Sequence, residues 1–316
     1  MSAPVCLGLD TSNYTTSAAV FDGTGGVNVG RLLDVPAGSL GLRQSDALFQ
    51  HVKRLPGLIA TLREEGALDS AIAAVGASTR PRAVEGSYMP CFLAGEGHGR
   101  AAAGLLGVPF YPLSHQQGHL AAAAWSAGRL ELLDGPFLAW HLSGGTTELL
   151  LVEPEGANVR AEKLGGTSDL SAGQLIDRTG VKLGLAFPAG KALDALAEQS
   201  TAEERFPVKI AEFTFSLSGM ENKVNALAEQ GRPPAEIAAF VLNTLSDVVC
   251  RTTRKAMQAH PGLPVLCSGG VASNRLLRRE MEARCGALFA QPRYSTDNAM
   301  GAAILARRLW EREGRA

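Results

Sequence analysis

The stretch FLAWHLSGGTTELLLV, residues 137–152, decides the fold. Phe137–Leu142 is an apolar run of strand length, Ser143–Thr147 is a small polar turn, and Glu148–Val152 is apolar again. Alternation of this kind reads as strand, turn, strand. The same arrangement stands near the start of the chain in VCLGLDTSNYTTSAAVF, residues 5–21, with Val5–Asp10 and Ser17–Phe21 flanking a polar turn at Thr11–Thr16. The two turns are about 130 residues apart, too long for a solenoid repeat and suited to a duplicated domain.

Between the hairpins the pattern alternates. Leu48, Val52, Leu55, Leu58 and Leu62 recur at steps of three or four, which predicts a helix over 45–64, kinked or split at Pro56. Strands are expected at 71–77 and 108–112, and helices at 92–106 and 115–130. Further on, helices are expected at 170–183, 191–198, 234–259, 275–284 and 298–312, with strands at 264–268 and 288–291. Strands and helices in turn make an α/β protein. A length of 316 residues allows two domains, and the expected division is 1–130, with the helix of 296–316 packing back on it, and 131–295.

Composition excludes several classes. Thirty Lys and Arg against 31 Asp and Glu leave a net charge of -1, which does not suit a protein that coats nucleic acid by bulk charge. Five cysteines without a CxxC pair give neither a disulfide framework nor a zinc ribbon. The apolar runs are too short for a membrane span and Met1–Leu9 lacks the regions of a signal peptide, so the expected location is the cytoplasm, away from membranes.

Three loops carry candidate chemistry. Ser143, Gly144 and Gly145 let a backbone approach a phosphate closely. Gly269 and Gly270 in SGGVASN, residues 268–274, follow a strand and open a helix, where amides hold an anion. Asp10 closes the first strand, placed to orient a divalent cation such as Mg²⁺, or a water, at a phosphate. Together they match the actin-like ATPase plan, in which two RNase-H-like lobes close over ATP in a cleft. His115 and His119 are one helical turn apart and can share a metal ion, with Asp297 as a third ligand. His98 and His141 read as structural. A zincin protease is excluded, because its general base would stand where Gln116 is.

Nearly end to end, the chain resembles the TsaD-type tRNA threonylcarbamoyladenosine transferases, once labelled glycoproteases or O-sialoglycoprotein endopeptidases. The resemblance rests on LGLDTS, HQQGH at 115–119, LSGGTTEL at 142–149, SAGQLIDR at 171–178, FPAGKALD at 187–194, FTFSLSG at 213–219, SGGVASNRLLR at 268–278 and STDNAMGAA at 295–303. It implies an iron or zinc ion on His115, His119 and Asp297. It implies ATP or acyl-adenylate contacts at Leu142–Gly145, Asp177, Gly190 and Asn274, and transfer of a threonylcarbamoyl group to adenosine 37 of tRNA. It also implies partner subunits, a non-catalytic TsaB-like paralogue and a TsaE-like ATPase.

The departures matter. Gln117 stands where the family's HxEGH motif has its acid, beside the metal, so Asp10 and Gln117 are the positions at which catalysis is expected to be decided. The family's ETSCDDT loop is here Asp10-Thr11-Ser12-Asn13-Tyr14-Thr15-Thr16, SGGHTQ is SGGTTE at 143–148, and Leu170 follows Asp169 in place of an acid. Three functions fit: a carbamoyl-type transferase with the family's acceptor or another, a non-catalytic nucleotide-binding subunit, and a small-molecule kinase. Arg251, Arg254, Lys255, Arg275, Arg278, Arg279 and Arg284 form either a tRNA-facing strip or solvated helix faces. The small residues of Ala101–Leu106 and Ala121–Ala124 suit helix packing within a subunit or in a homo-oligomer.

Overall fold

A computed structural model describes residues 3–12, 14–35 and 42–314. The chain divides into two compact units, one made of 1–135, 153–161 and 296–316, the other of 136–152 and 162–295. The segment 153–161, the end of one strand and the start of the next, thus counts with the first unit.

In the first unit, β1 (Val5–Asp10) is buried at every residue and forms the centre of a five-stranded sheet. It pairs antiparallel with β2 (Thr15–Phe21), which pairs antiparallel with β3 (Gly26–Leu32). On its other side it runs parallel to β4 (Ile72–Arg80), which is parallel to β5 (Phe110–Ser114). The order is β3-β2-β1-β4-β5. Parallel neighbours need helical crossovers, and α1 (Gln44–Glu64) and α2 (Phe92–Leu106) supply them. Leu7, Leu9, Val20 and Val75 of the sheet bury against Leu55 and Leu62 of α1, each worth roughly 1.5 to 3 kcal/mol of transfer free energy.

Helix α3 (His115–Ser126) begins directly after β5. Ser114 caps it in a reciprocal box with Gln117, the Ser-x-x-Gln signature of a helix start. The C-terminal helix, Met300–Glu313, lies against β1, β4 and α3 at backbone distance. A Cβ on Gly8 would stand 2.4 Å from the Ala303 nitrogen, and one on Gly301 would stand 1.8 Å from the Gly118 carbonyl oxygen. Only glycine permits approaches this close.

Two expectations are corrected here. Helix α1 is not split at Pro56, which with Gly57 lies on its exposed face, where water can meet the carbonyl that loses its partner. Helix α3 stops at Ser126 instead of Leu130, and a separate 3₁₀ turn follows at Leu130–Asp134.

The second unit repeats the pattern. β6 (Phe137–Leu142) and β7 (Thr147–Glu155) form the expected hairpin, and β8 (Asn158–Thr167) is next in the sheet. Helices α4 (Ala172–Lys182) and α5 (Gly190–Ala197) come next. The short strands β9 (Ile210–Ala211) and β10 (Thr214–Phe215) then lead to α6 (Ser218–Glu229) and α7 (Pro234–Ala259). β11 (Val265–Ser268) lies parallel to β6, and α8 (Arg275–Cys285) leads to β12 (Leu288–Phe289), parallel to β11. The C-terminal helix of the first unit is α9.

The seven strands are ordered β12-β11-β6-β7-β8-β10-β9. Within them, β8-β7-β6-β11-β12 reproduces β3-β2-β1-β4-β5 strand for strand. Trp140 is fully buried in this unit's core and donates its indole N–H to Thr253 Oγ1 at 2.8 Å. The five cysteines are free and buried. Among the described residues, no helix is long and apolar enough to cross a membrane.

Candidate metal centre and nucleotide-binding turns

Capping by Ser114 starts α3 at His115, so His115 and His119 leave the first turns of the helix on one face. Their Nε2 atoms face each other at 2.9 Å, and Asp297 Oδ1 lies 3.4 Å from each. The three ligand atoms all lie within 4.8 Å of one another. Two imidazole nitrogens facing at this distance need a proton or a cation between them. The donor set, two nitrogens and one carboxylate, fits zinc or iron and leaves coordination positions open. The close packing of α9 on α3 is what delivers Asp297, three residues before that helix, to the histidines.

Asp10 stands behind His115. Its Oδ2 accepts from His115 Nδ1 at 2.8 Å and from Ser78 Oγ at 2.6 Å, and its Oδ1 accepts from the Ser12 amide at 3.0 Å and from the Ser12 hydroxyl. With 1% of its surface exposed, Asp10 spends its lone pairs on His115, Ser78 and Ser12. Burial drives the Asp10 carboxyl up, but the charge and hydrogen bond of His115 and the bonds from Ser12 and Ser78 outweigh it and hold the group below its ordinary range. Burial likewise acts to drive the proton off His115, and Asp10 together with Asp297 overcomes this, holding the imidazole up to about 10. Asp297 is pushed up by burial and down, by more, through His115 and His119. A cation bound by this cluster would displace the shared proton.

In the second unit the Gly-rich turns meet. A Cβ on Gly269, whose φ is +95°, would lie 2.1 Å from the Leu142 carbonyl oxygen, which seats the 269–274 loop on the end of β6. The 143–146 turn closes on itself, Ser143 N–H to Thr146 O at 2.8 Å and Thr146 N–H to Ser143 Oγ at 3.1 Å. Ser171, the cap of α4, donates to the Gly144 carbonyl at 2.6 Å, and a Cβ on Gly173 would meet Ser143 O at 2.5 Å. The N-terminus of α4 is thereby held against the turn.

Gly144 and Asp177 line one cavity of about 670 Å³, with Gln174, Thr179, Phe187 and Glu221. Among the described residues, the buried Thr179 hydroxyl has no hydrogen-bond partner. Asp177 Oδ1 accepts from the Ala189 amide at 2.8 Å, which fixes the entry to α5 beside Gly190. Asn274 caps α8 through Leu277 N–H at 2.9 Å and donates to Asp194 Oδ1 at 2.7 Å.

The chain matches the TsaD family, tRNA N6-adenosine threonylcarbamoyltransferase, over residues 41–304. The chain belongs to this family. An enzyme of that name from Thermus thermophilus is 33% identical over 321 residues, covering 100% of this chain and 94% of the relative. Its counterpart from Parasynechococcus marenigrum is 33% identical over 279 residues, covering 82% of this chain and 75% of the relative. Among solved structures, full-length HypF in a phosphate- and nucleotide-bound form aligns with a TM-score of 0.66 at 13% identity, over 98% of this chain and 47% of that one. That likeness speaks for the fold alone, the actin-like ATPase fold.

In this TsaD-family chain one departure, Asp10, contacts the cluster through His115, and another, Gln117, does not. Gln117 turns from the histidines: its Oε1 accepts from the Ser114 amide and hydroxyl at 2.9 and 3.0 Å, and its Nε2 donates to the Val159 carbonyl at 2.8 Å. It is 5% exposed and works as the cap of α3 and its tie to β8, where the sequence suggests a catalytic position. Of the altered first loop, Thr11 and Ser12 are fully buried, Tyr14 is exposed, and Asn13 lies outside the described residues.

Sequence reasoning missed Ser78, Ser12, Ser171 and Asp194. SAGQ at 171–174 carries the same Ser-x-x-Gln signature as SHQQ at 114–117, a signal that could have found Ser171. Ser78 and Asp194 have no local signal, since each acts across the fold. In the basic strip, Arg251 pairs with Asp247, Arg275 with Asp194 and Glu198, Arg278 with Glu282, Arg279 with Glu280, and Arg284 with Glu280 and Asp247. Each of these five arginines faces a carboxylate.

Proposed function

We propose that this TsaD-family chain is a metal-dependent transferase that moves a threonylcarbamoyl or related carbamoyl group from an adenylate to adenosine 37 of tRNA or another acceptor. The convergence of His115 Nε2, His119 Nε2 and Asp297 Oδ1, backed by Asp10, is the observation that carries this reading. A divalent zinc or iron ion on these residues would supply Lewis acidity toward the carbamoyl carbonyl. Asp10 keeps the His115 ring turned with Nε2 toward the ion. The amides of Gly144 and Gly145 and of the 269–271 segment suit the adenylate phosphate, and Asp177 offers a polar atom to its nucleoside.

The test uses unmodified tRNA, ATP, threonine and bicarbonate with the full chain and TsaB-like and TsaE-like partner subunits, read by mass spectrometry of the nucleosides. Threonylcarbamoyladenosine formed by the native chain and not by His115→Ala supports the reading. No product from a chain that still binds zinc and ATP would make it a binding subunit or a transferase with another acceptor.

A further inference from the structure

We propose that Ser78 is a positioning residue for the metal site, acting on His115 through Asp10. Parallel pairing of β1 with β4 sets Leu9 opposite Ala77, which makes Ser78 the lateral neighbour of Asp10. Both are 1% exposed. The Ser78 hydroxyl donates at 2.6 Å to Asp10 Oδ2, the same oxygen that meets His115 Nδ1 at 2.8 Å. Ser12 holds the other oxygen with its amide and hydroxyl.

With both oxygens pinned, the carboxylate cannot rotate, and Oδ2 stays in line with the ring nitrogen. A neutral imidazole has one N–H and one lone pair. Oδ2 draws the N–H to Nδ1 and so leaves the lone pair on Nε2, aimed at His119 Nε2 and Asp297 Oδ1. The competing tautomer would place its N–H on Nε2, donate to His119 across 2.9 Å, and have nothing to offer a cation. Ser78 contributes by holding Oδ2 in line with Nδ1. A serine needed only to fill space could bond to a nearby carbonyl; this one adds a fourth donor to a carboxylate already held by three.

Ser78 has this role only if His115 ligates a metal, as proposed above, and the experiment separates the two. Zinc affinity of the metal-free full chain is measured by chelator competition, and the ligand-field absorption is recorded with Co²⁺. Ser78→Ala is expected to weaken zinc roughly ten-fold and to alter the Co²⁺ spectrum, and Ser78→Thr to restore both. Ser17→Ala is the control, since the buried Ser17 hydroxyl meets the Asp10 main-chain oxygen at 3.3 Å and not its carboxylate. It should leave both readouts unchanged.

A folded Ser78→Ala with native affinity and spectrum, or an equal loss in Ser17→Ala, overturns the role of Ser78. Should Ser78→Ala fail to fold, Ser78→Cys keeps the volume with a weaker donor, and native binding by that variant overturns it equally. A native chain that binds neither ion, or His115→Ala binding as tightly as the native chain, would remove the metal reading itself.

Discussion

Gly301 and Gly118 meet backbone to backbone, and the contact is one-sided. A Cβ on Gly301 would lie 1.8 Å from the Gly118 carbonyl oxygen, whereas a Cβ on Gly118 would find its nearest atom at 3.8 Å, an ordinary contact. The two alanine variants therefore diverge. Gly301→Ala forces α9 off α3 and should cost about 1 to 3 kcal/mol along with zinc affinity, because Asp297 moves with the helix. Gly118→Ala sits inside a helix with room for its methyl and should be neutral or stabilising by up to about 1 kcal/mol. Urea titration of both variants checks the sign.

Loss of a ligand should show as loss of linkage. Zinc at 100 times its dissociation constant should stabilise the native chain by about 2.7 kcal/mol. His119→Ala and Asp297→Ala should fold and show little of that gain, read as the shift in Tm on adding zinc. A full zinc-dependent shift in either variant would exclude that residue from the ligand set.

Gln117→Glu restores the residue type that the family carries and should not raise activity. The carboxylate can still accept from Ser114, but it has no N–H for the Val159 carbonyl and sets a buried charge against it. A loss of about 1 to 3 kcal/mol is expected, measured as a lower urea midpoint with unchanged slope. A gain in transferase rate at native stability would return Gln117 to the reacting groups.

Asp169 ties the end of β8 to the start of α6. Burial raises its carboxyl, and hydrogen bonds from Ser216 Oγ at 2.5 Å, Leu217 N–H at 2.9 Å and Leu170 N–H outweigh this and hold it well below the usual carboxylate range. A depressed folded value means stability that is present above the unfolded value, about 3.9, and is lost as pH falls through the folded one. Asp169→Asn should therefore lower Tm at pH 7 and flatten its fall below about pH 4, seen by thermal melts across the acid range.

Much of this was legible because the strands that build the fold are buried on both faces. Val5–Asp10 and Phe137–Leu142 are nearly continuous apolar runs, and their bounds in the sequence match the strands observed. β3 and β8 were not seen: Gly26–Leu32 is exposed or half-exposed throughout, and Asn158–Thr167 mixes Arg, Glu and Lys with its apolar residues, so neither alternates. The pair His115 and His119 was visible as a helical spacing. The posture of Asp10 was not, since it depends on Ser78, 68 residues away, and on the register of two parallel strands. The posture of Gln117 was hidden for a similar reason, as its partner Val159 lies 42 residues on.

The strand order shared by the two sheets gives each strand of the first a counterpart in the second. Asp10 closes β1 as Leu142 closes β6, and each opens a polar turn into the antiparallel partner strand. The carboxylate stands in one copy and the pair of glycines in the other. A hairpin inherited twice could divide its labour, one copy drifting toward the handling of a cation while the other kept hold of an anion. Descendants of such a chain can then vary the first turn, as at Thr11–Thr16, without disturbing what the second turn grips.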